Sequence, residues 1–448
     1  MKRNSFLRLS GLSFGMLVIP SFLKAICTSE ERPFDVNDYF ESDNPEVLKL
    51  VDSVYQKCIL NKIIQPEGYL RRKWITPGGH YYGQWIWDTM FVTDLLAIID
   101  EQKETIFDVF RNYRDMQARW DEVKPEYAHG MIPCMIYPNN RFWSEFPAYS
   151  QIPILAWGLQ QVYKRNNDLR LVYVNLEMLE NFHEWYWRER DVTNVGLVSV
   201  GSYSGDVQHA RYETFDFDGS LDQLNLTRHP SAHNIIKGEW YGDILVTGNS
   251  SYLLLAERSL AELAEAVGDH AMAQRRMARY KKGVEAMRKY MWDQKAGMFF
   301  AVRRDTLEKI PQQSIGCWMP LLAGVPTHEM AARMAEVLAS DDWMTPVPVA
   351  TIPRSDPRFN AAGFWRGDAW TVTSYQVASG LKSYGYDELA AKIADNTIEN
   401  TLRNGVSENH NSLTGDALGV DYLGMSCTVV TMMLEGLSKK YKLRHKKK

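Results

Sequence analysis

Residues 263–280 read LAEAVGDHAMAQRRMARY, and this stretch decides the fold. An apolar-striped helix runs into Gly268, Asp269 is placed to cap a new start, and a second striped helix follows. Two helices joined by so few residues must lie antiparallel. The same arrangement recurs around Gly385 in VASGLKSYGYDELAAKI and around Asn167 in KRNNDLRLVY. Helical periodicity predicts about twelve segments, at 44–61, 88–101, 104–120, 150–165, 168–190, 247–267, 269–292, 312–323, 327–339, 368–384, 386–402 and 423–438. After every even-numbered helix the link is short. After every odd-numbered one it is long, at 62–87, 121–149, 191–246, 293–311, 340–367 and 403–422. In an up-and-down array all the long links leave from one face. The pattern predicts an all-α (α/α)6 barrel of six helical hairpins, with its loops gathered where function belongs.

The rest of the composition suits that reading. The 448 residues are 45% hydrophobic and 24% charged, enough for a large core. Aromatic content is 12%, with 14 Trp and 23 Tyr, side chains that serve cores and sugar-stacking walls alike. A net charge of −4 points away from nucleic acid and anionic membranes. The basic tail KKYKLRHKKK reads as solvated or frayed. Residues 1–26 have the layout of a secretory signal peptide: Lys2, Arg3 and Arg8, then apolar residues from Gly11 to Leu23, then Ala25. Residues 27–448 are expected to form one exported domain, periplasmic or extracellular, with no membrane partner after signal cleavage. The five cysteines are widely spaced, and buried free thiols are expected.

Chemistry is sought on the loop face. Loop one holds GGHYYGQWIWDTMF, with Trp85, Trp87 and Asp88 at a helix entrance; Asp88 is either an N-cap or a sugar-binding carboxylate beside an aromatic wall. In loop two, Ser150 and Gln151 are expected to open a helix, and Arg141, Trp143 and Glu145 line a pocket or decorate its rim. Loop three holds VSVGSYSGDVQHARYETFDFDGS, with Asp206, Glu213, Asp216 and Asp218 close together, one of which could be a general acid in an apolar setting. Loop five runs into GFWRGDAW, where Trp365, Arg366, Asp368 and Trp370 alternate ring and charge; Asp368 is a cap or a ligand to substrate. Loop six holds SENHNSLTGD, read as a polar loop carrying Glu408. No nucleophile elbow, phosphate loop, dinucleotide fingerprint or H-E-x-x-H occurs, so neither a metal nor another cofactor is expected. Carboxylates beside aromatics suit glycoside hydrolysis.

WIWDTMF, SQIPILAW, the Ser204–Asp206 segment, GFWRGDAW, ENHNSLTG and the closing Gly-x-x-x-Leu-Gly-x-Ser run stand in an order that resembles glycoside hydrolase family 63. The chain is also similar to the mannosylglycerate hydrolase type and, more distantly, to the trehalases. The resemblance spans about residues 80–435. It implies an (α/α)6 catalytic domain that cleaves α-linked glucosides or mannosides with inversion and without cofactor. It implies that Glu408 is the general base and that Asp206, after Ser-Gly and before Arg211, is the general acid. Relatives usually place one residue between that Gly and the acid, so Glu213 and Asp216 stay as alternatives. Trp85, Trp87, Asp88, Gln151, Trp365, Arg366, Asp368 and Asn411 are expected to bind substrate; at Asp368 relatives often have proline. Two other readings stay open: a lyase or unsaturated-uronide hydrolase on a similar toroid, and an inactive glycan-binding protein.

Overall fold

A computed structural model describes residues 34–100, 103–123, 128–140, 150–202, 211–213, 221, 223–228 and 240–446. The chain divides into two units, Met1–Asp35 and Val36–Lys448, and the barrel lies in the second.

The barrel helices are α1 Pro45–Val54, α2 Ile86–Ile99, α3 Glu104–Val123, α4 Leu155–Asn166, α5 Leu169–Arg190 and α6 Thr247–Ala266. They continue with α7 His270–Ala286, α8 Met319–Ala323, α9 His328–Leu338, α10 Thr371–Ser383, α11 Asp387–Asn404 and α12 Thr428–Leu434. Even-numbered helices pack in sequence, α2 on α4, α4 on α6, α6 on α8, α8 on α10 and α10 on α12. The turn Gly424–Cys427 that leads into α12 closes the ring against α2. Odd-numbered helices pack outside, α5 on α4 and α6, α7 on α6, and α11 on α10 and α12.

The two rings differ as their surroundings demand. Every residue of α2 from Ile86 to Ala97 is buried, as befits a helix covered on all sides. On α7 only Met272, Ala273, Arg276, Gly283, Val284 and Ala286 are buried, which is one face. The hairpin turns follow the expected chemistry. Asp269 accepts from the Met272 N–H at 2.9 Å, and Asn167 ends α4 in the left-handed conformation at φ 53°. Away from the loop face, Arg165 of α4 donates to both oxygens of Asp94 on α2, at 2.8 and 3.1 Å, and Tyr375 of α10 donates to Glu435 at 3.1 Å.

The C-terminal tail is not frayed. Arg444–His445 pairs antiparallel with Phe40–Glu41, Ser42 Oγ donates to the Lys442 carbonyl at 2.6 Å, and Leu437, Tyr441 and Leu443 are buried. The seam between the first and last hairpins is zipped by this strand pair. Apolar Leu443 and Tyr441 interrupt the basic run, and their burial outweighs the solvation of the lysines around them. Deleting residues 437–448 should therefore cost several kcal/mol, at roughly 1.5–3 kcal/mol per buried large side chain. Differential scanning calorimetry should show a thermal midpoint about 5 °C or more below that of the full chain.

Candidate active site

The hairpin that carries Glu408 stands on the loop face. It consists of β3 Ser407–His410 and β4 Ala417–Asp421, after the pair β1 Gln84–Trp85 and β2 Met135–Ile136 near the start of α2. SENHNSLTGD is thus only partly a loop. Its first four residues are a buried strand, because Ser407, Asn409 and His410 pair with Asp421, Leu418 and Ala417. The register slips between Ser407 and Asn409, which leaves Glu408 at the irregularity. The tip is closed by Asn411, whose side-chain oxygen accepts from the Leu413 and Thr414 N–H groups at 2.9 and 3.0 Å. That oxygen of Asn411 shapes the turn.

Glu408 is held at both oxygens. Tyr81 O–H donates to Oε1 at 2.9 Å, and the Val420 N–H of β4 donates to Oε2 at 3.0 Å. Space above it exists only because residue 419 is glycine. At φ 68° a Cβ there would stand 2.5 Å from Glu408 Oε2. Loop one fits equally closely, since a Cβ on Gly79 would lie 2.7 Å from both methyls of Val420. Tyr81 was not singled out in the sequence, where it is one of two tyrosines in GGHYYGQ. Its Tyr81→Phe variant should lose about 10- to 100-fold in kcat, the worth of a hydrogen bond to a charged group, with KM little changed. Steady-state kinetics on an aryl α-glycoside checks this.

Asp88 lies in the first turn of α2 rather than at its cap. The helix starts two residues earlier than the periodicity suggested, with Trp85 at the cap position making no side-chain capping bond. The Trp87 N–H is instead taken by Gln151 Oε1 at 2.8 Å. Gln151 does not open a helix, which begins only at Leu155; it lies in the segment ahead of it, and its side chain reaches across to α2. Burial pushes the Asp88 carboxyl up to about 7, and the nearby Glu408 adds to the rise. Trp87 lies edge-on to Tyr252 at 5.4 Å with its indole N–H on Met425 sulfur at 3.1 Å, and Trp85 lies edge-on to Tyr81 at 5.9 Å.

Asp88 binds its proton more tightly folded than unfolded, as does buried Asp368, which is pushed up to about 6. Their contribution is fully present at about pH 4 and is lost as pH rises towards 7. Calorimetry from pH 4 to 8 should show Asp88→Asn gaining stability relative to the parent as pH rises.

Loop five supplies an aromatic wall. Trp365 stacks on Trp370 at 4.4 Å and 15°, and Phe364, 53% exposed, meets Trp370 edge-on at 5.4 Å. Trp365 keeps a left-handed backbone at φ 54°, which costs a bulky residue about 1–2 kcal/mol. Flanking bonds from Arg366 N–H to the Gly363 carbonyl and from Asn360 N–H to the Arg366 carbonyl hold it, at 2.8 and 2.7 Å. Arg366 also donates to the Trp365 carbonyl at 3.0 Å. Asp368 is fully buried and precedes α10 by three residues, so it is no cap.

Glu213 is not an acid facing substrate. It is fully buried, and its two oxygens receive the Arg190 Nε and Nη2 at 2.7 Å each, the Ser150 N–H at 2.8 Å and the Gly201 N–H. Both oxygens are taken up by these donors, so neither is presented to a substrate. Asp206, Asp216 and Asp218 lie outside the described residues, as do Arg141, Trp143 and Glu145. The structure therefore brings Glu408 together with Tyr81 and Asp88. Gln151 and the Trp365–Trp370 stack support the groups around them.

A family model, the mannosylglycerate hydrolase MGH1-like glycoside hydrolase domain, matches residues 81–426. The chain belongs to this family. As a member it is a glycoside hydrolase of the family 63, mannosylglycerate hydrolase type. Among curated proteins it is 25% identical over 397 residues to mannosylglycerate hydrolase MGH1 of Selaginella moellendorffii, covering 76% of this chain and 78% of that one. It is 24% identical over 395 residues to the mannosylglycerate hydrolase of Thermus thermophilus, covering 76% and 91%. Among solved structures, a family 63 mannosylglycerate hydrolase from Thermus thermophilus in complex with glucose superposes with a TM-score of 0.63 at 20% identity, over 85% of this chain and 98% of that one. That likeness shows the (α/α)6 fold. The matched span contains Tyr81, Asp88, Asp368 and Glu408.

Proposed function

We propose that this glycoside hydrolase is exported and cleaves an α-linked glucoside or mannoside by a single displacement. Glu408 is the general base, and Asp206 is the general acid. The observation that carries the reading is the setting of Glu408. It is a buried carboxylate at the open end of the barrel, fixed by one phenol and one backbone N–H, beside a second carboxyl, Asp88, that burial and Glu408's charge favour in its protonated form. The two hydrogen bonds fix the carboxylate's oxygens, and a carboxylate held in place can take a proton from a water beside it. Asp88, partly protonated near neutral pH, can donate to or accept from a sugar hydroxyl. The relatives carry the name mannosylglycerate hydrolase, and one solved neighbour was obtained with Tris and D-glycerate, which supports an α-mannosyl or α-glucosyl substrate of small size.

Chemically, Asp206 gives its proton to the departing glycosidic oxygen while Glu408 deprotonates a water that attacks the anomeric carbon from the opposite face. The carbon–oxygen bond breaks as the new one forms, and the product is the β-anomer. Proton NMR of the first-formed sugar tests this on a panel of α-glucosides, α-mannosides, α-galactosides and mannosylglycerate. An initial α-anomer would mean retention and would rule out the single displacement. Turnover of none of the panel would rule out the proposed substrate class.

A further inference from the structure

The last four residues of GFWRGDAW, residues 367–370, place Asp368 just ahead of α10. Asp368 is fully buried, and a buried carboxylate is tolerable only when donors surround it. Here three do. Thr351 O–H donates to Oδ1 at 2.7 Å, and Oδ2 receives the Trp370 indole N–H at 2.7 Å together with the Asn409 side-chain N–H.

Those donors come from different parts of the site. Trp370 is the ring on which Trp365 stacks, so it is the base of the aromatic wall. Asn409 is the residue after Glu408 on β3. Its side-chain oxygen is buried with no partner among the described residues, so its amide is oriented through the bond to Asp368. The backbone repeats the connection. Ala369 and His410 exchange both N–H to carbonyl bonds, at 2.9 and 2.8 Å, and Ala350 bridges to Ala369 on the other side. Thr351 N–H donates to the Asp368 carbonyl at 2.9 Å, and Thr351 Oγ1 accepts from the Gly367 N–H at 2.9 Å. One side chain thus joins loop five, the wall and the base strand.

We propose that Asp368 is a positioning residue: by holding Trp370 and Asn409 on one carboxylate oxygen, it sets Glu408 at its working distance from the Trp365–Trp370 wall. This rests on Glu408 being the general base. The ionised form is the one that accepts all three donors. Thr351, Asn409 and Trp370 each act against the rise that burial imposes on it.

The physical consequence is specific. In Asp368→Asn, an amide turned with its N–H groups towards Trp370 and Asn409 releases both, and one turned the other way leaves the Thr351 hydroxyl proton without its acceptor and holds Trp370 and Asn409 on a neutral oxygen, more weakly than a carboxylate does. A base displaced by a fraction of an ångström is costly to kcat, whereas groups that bind the sugar at rest are little affected. Asp368→Asn should lose about 10- to 100-fold in kcat with KM within about threefold, and the thermal midpoint should stay within a few degrees. Asn409→Leu should do the same from the other partner. The double variant should be no slower than the slower single, because both substitutions cut one link.

The measurements are steady-state kinetics on an aryl α-glycoside for these three variants and for Glu408→Gln, with calorimetric melting of each. Wild-type kcat in Asp368→Asn overturns the proposal, as do losses that multiply in the double variant. If Asp368→Asn does not fold, Asn409→Leu alone decides: a selective loss of kcat supports the link, and unchanged kcat sinks it. Full turnover in Glu408→Gln removes the base reading itself. An inactive Glu408→Gln beside a fully active Asp368→Asn removes only the positioning role.

Discussion

Glu408→Gln is expected to lower kcat about 10³-fold, the middle of the range for losing a general base, with KM within about threefold. The substitution keeps shape and volume. Glutamine can still accept from Tyr81 O–H through its carbonyl, but its NH2 then faces the Val420 N–H, donor against donor. The amide has no basicity to take a proton from water. Binding of the sugar at rest does not require that proton transfer, so the loss falls on kcat. Initial rates on the α-glycoside panel, with melting to confirm an intact fold, measure both numbers. Retained turnover in a folded Glu408→Gln enzyme would place the base elsewhere.

The second large effect concerns stability. Glu213→Ala is expected to cost about 3–5 kcal/mol, because it leaves the Arg190 guanidinium buried without its carboxylate. The damage spreads through named bonds. Arg190 loses two charge-assisted hydrogen bonds, and the N–H groups of Ser150 and Gly201 lose their acceptor. Ser150 adjoins Gln151, which holds the Trp87 N–H at the start of α2, one residue from Asp88. Denaturant unfolding should show the midpoint falling sharply. A double variant that also replaces Arg190 by Met should recover part of the loss, since removing both charges avoids the isolated one. Unchanged stability in Glu213→Ala would show that Arg190 finds another partner.

The sequence and the structure divided the work unevenly. The alternation of tight turns at Asn167, Gly268 and Gly385 with long links was enough to read twelve helices and their two rings, because helix period and capping are local properties of consecutive residues. Family resemblance pointed to Glu408. The tail reads as frayed because its charge hides two buried side chains, the ring of Tyr441 and the aliphatic Leu443, whose contacts form only once Phe40–Glu41 arrives to pair. Glu213 looked like one of four interchangeable carboxylates until Arg190, on α5, was found opposite it. Asp88 and Asp368 each read as a cap or as a carboxylate that binds substrate, since a carboxylate near a helix start carries the same local signature whichever way it serves.

What consecutive residues carried was therefore the helices, the order of the rings and the face on which chemistry had to lie. What only folding decided was which charge meets which partner. Tyr81 reaches Glu408 across 327 residues, and Asn409 reaches Asp368 across 41. A carboxylate's role is set by burial and by the donors around it, and neither exists until distant segments are brought together.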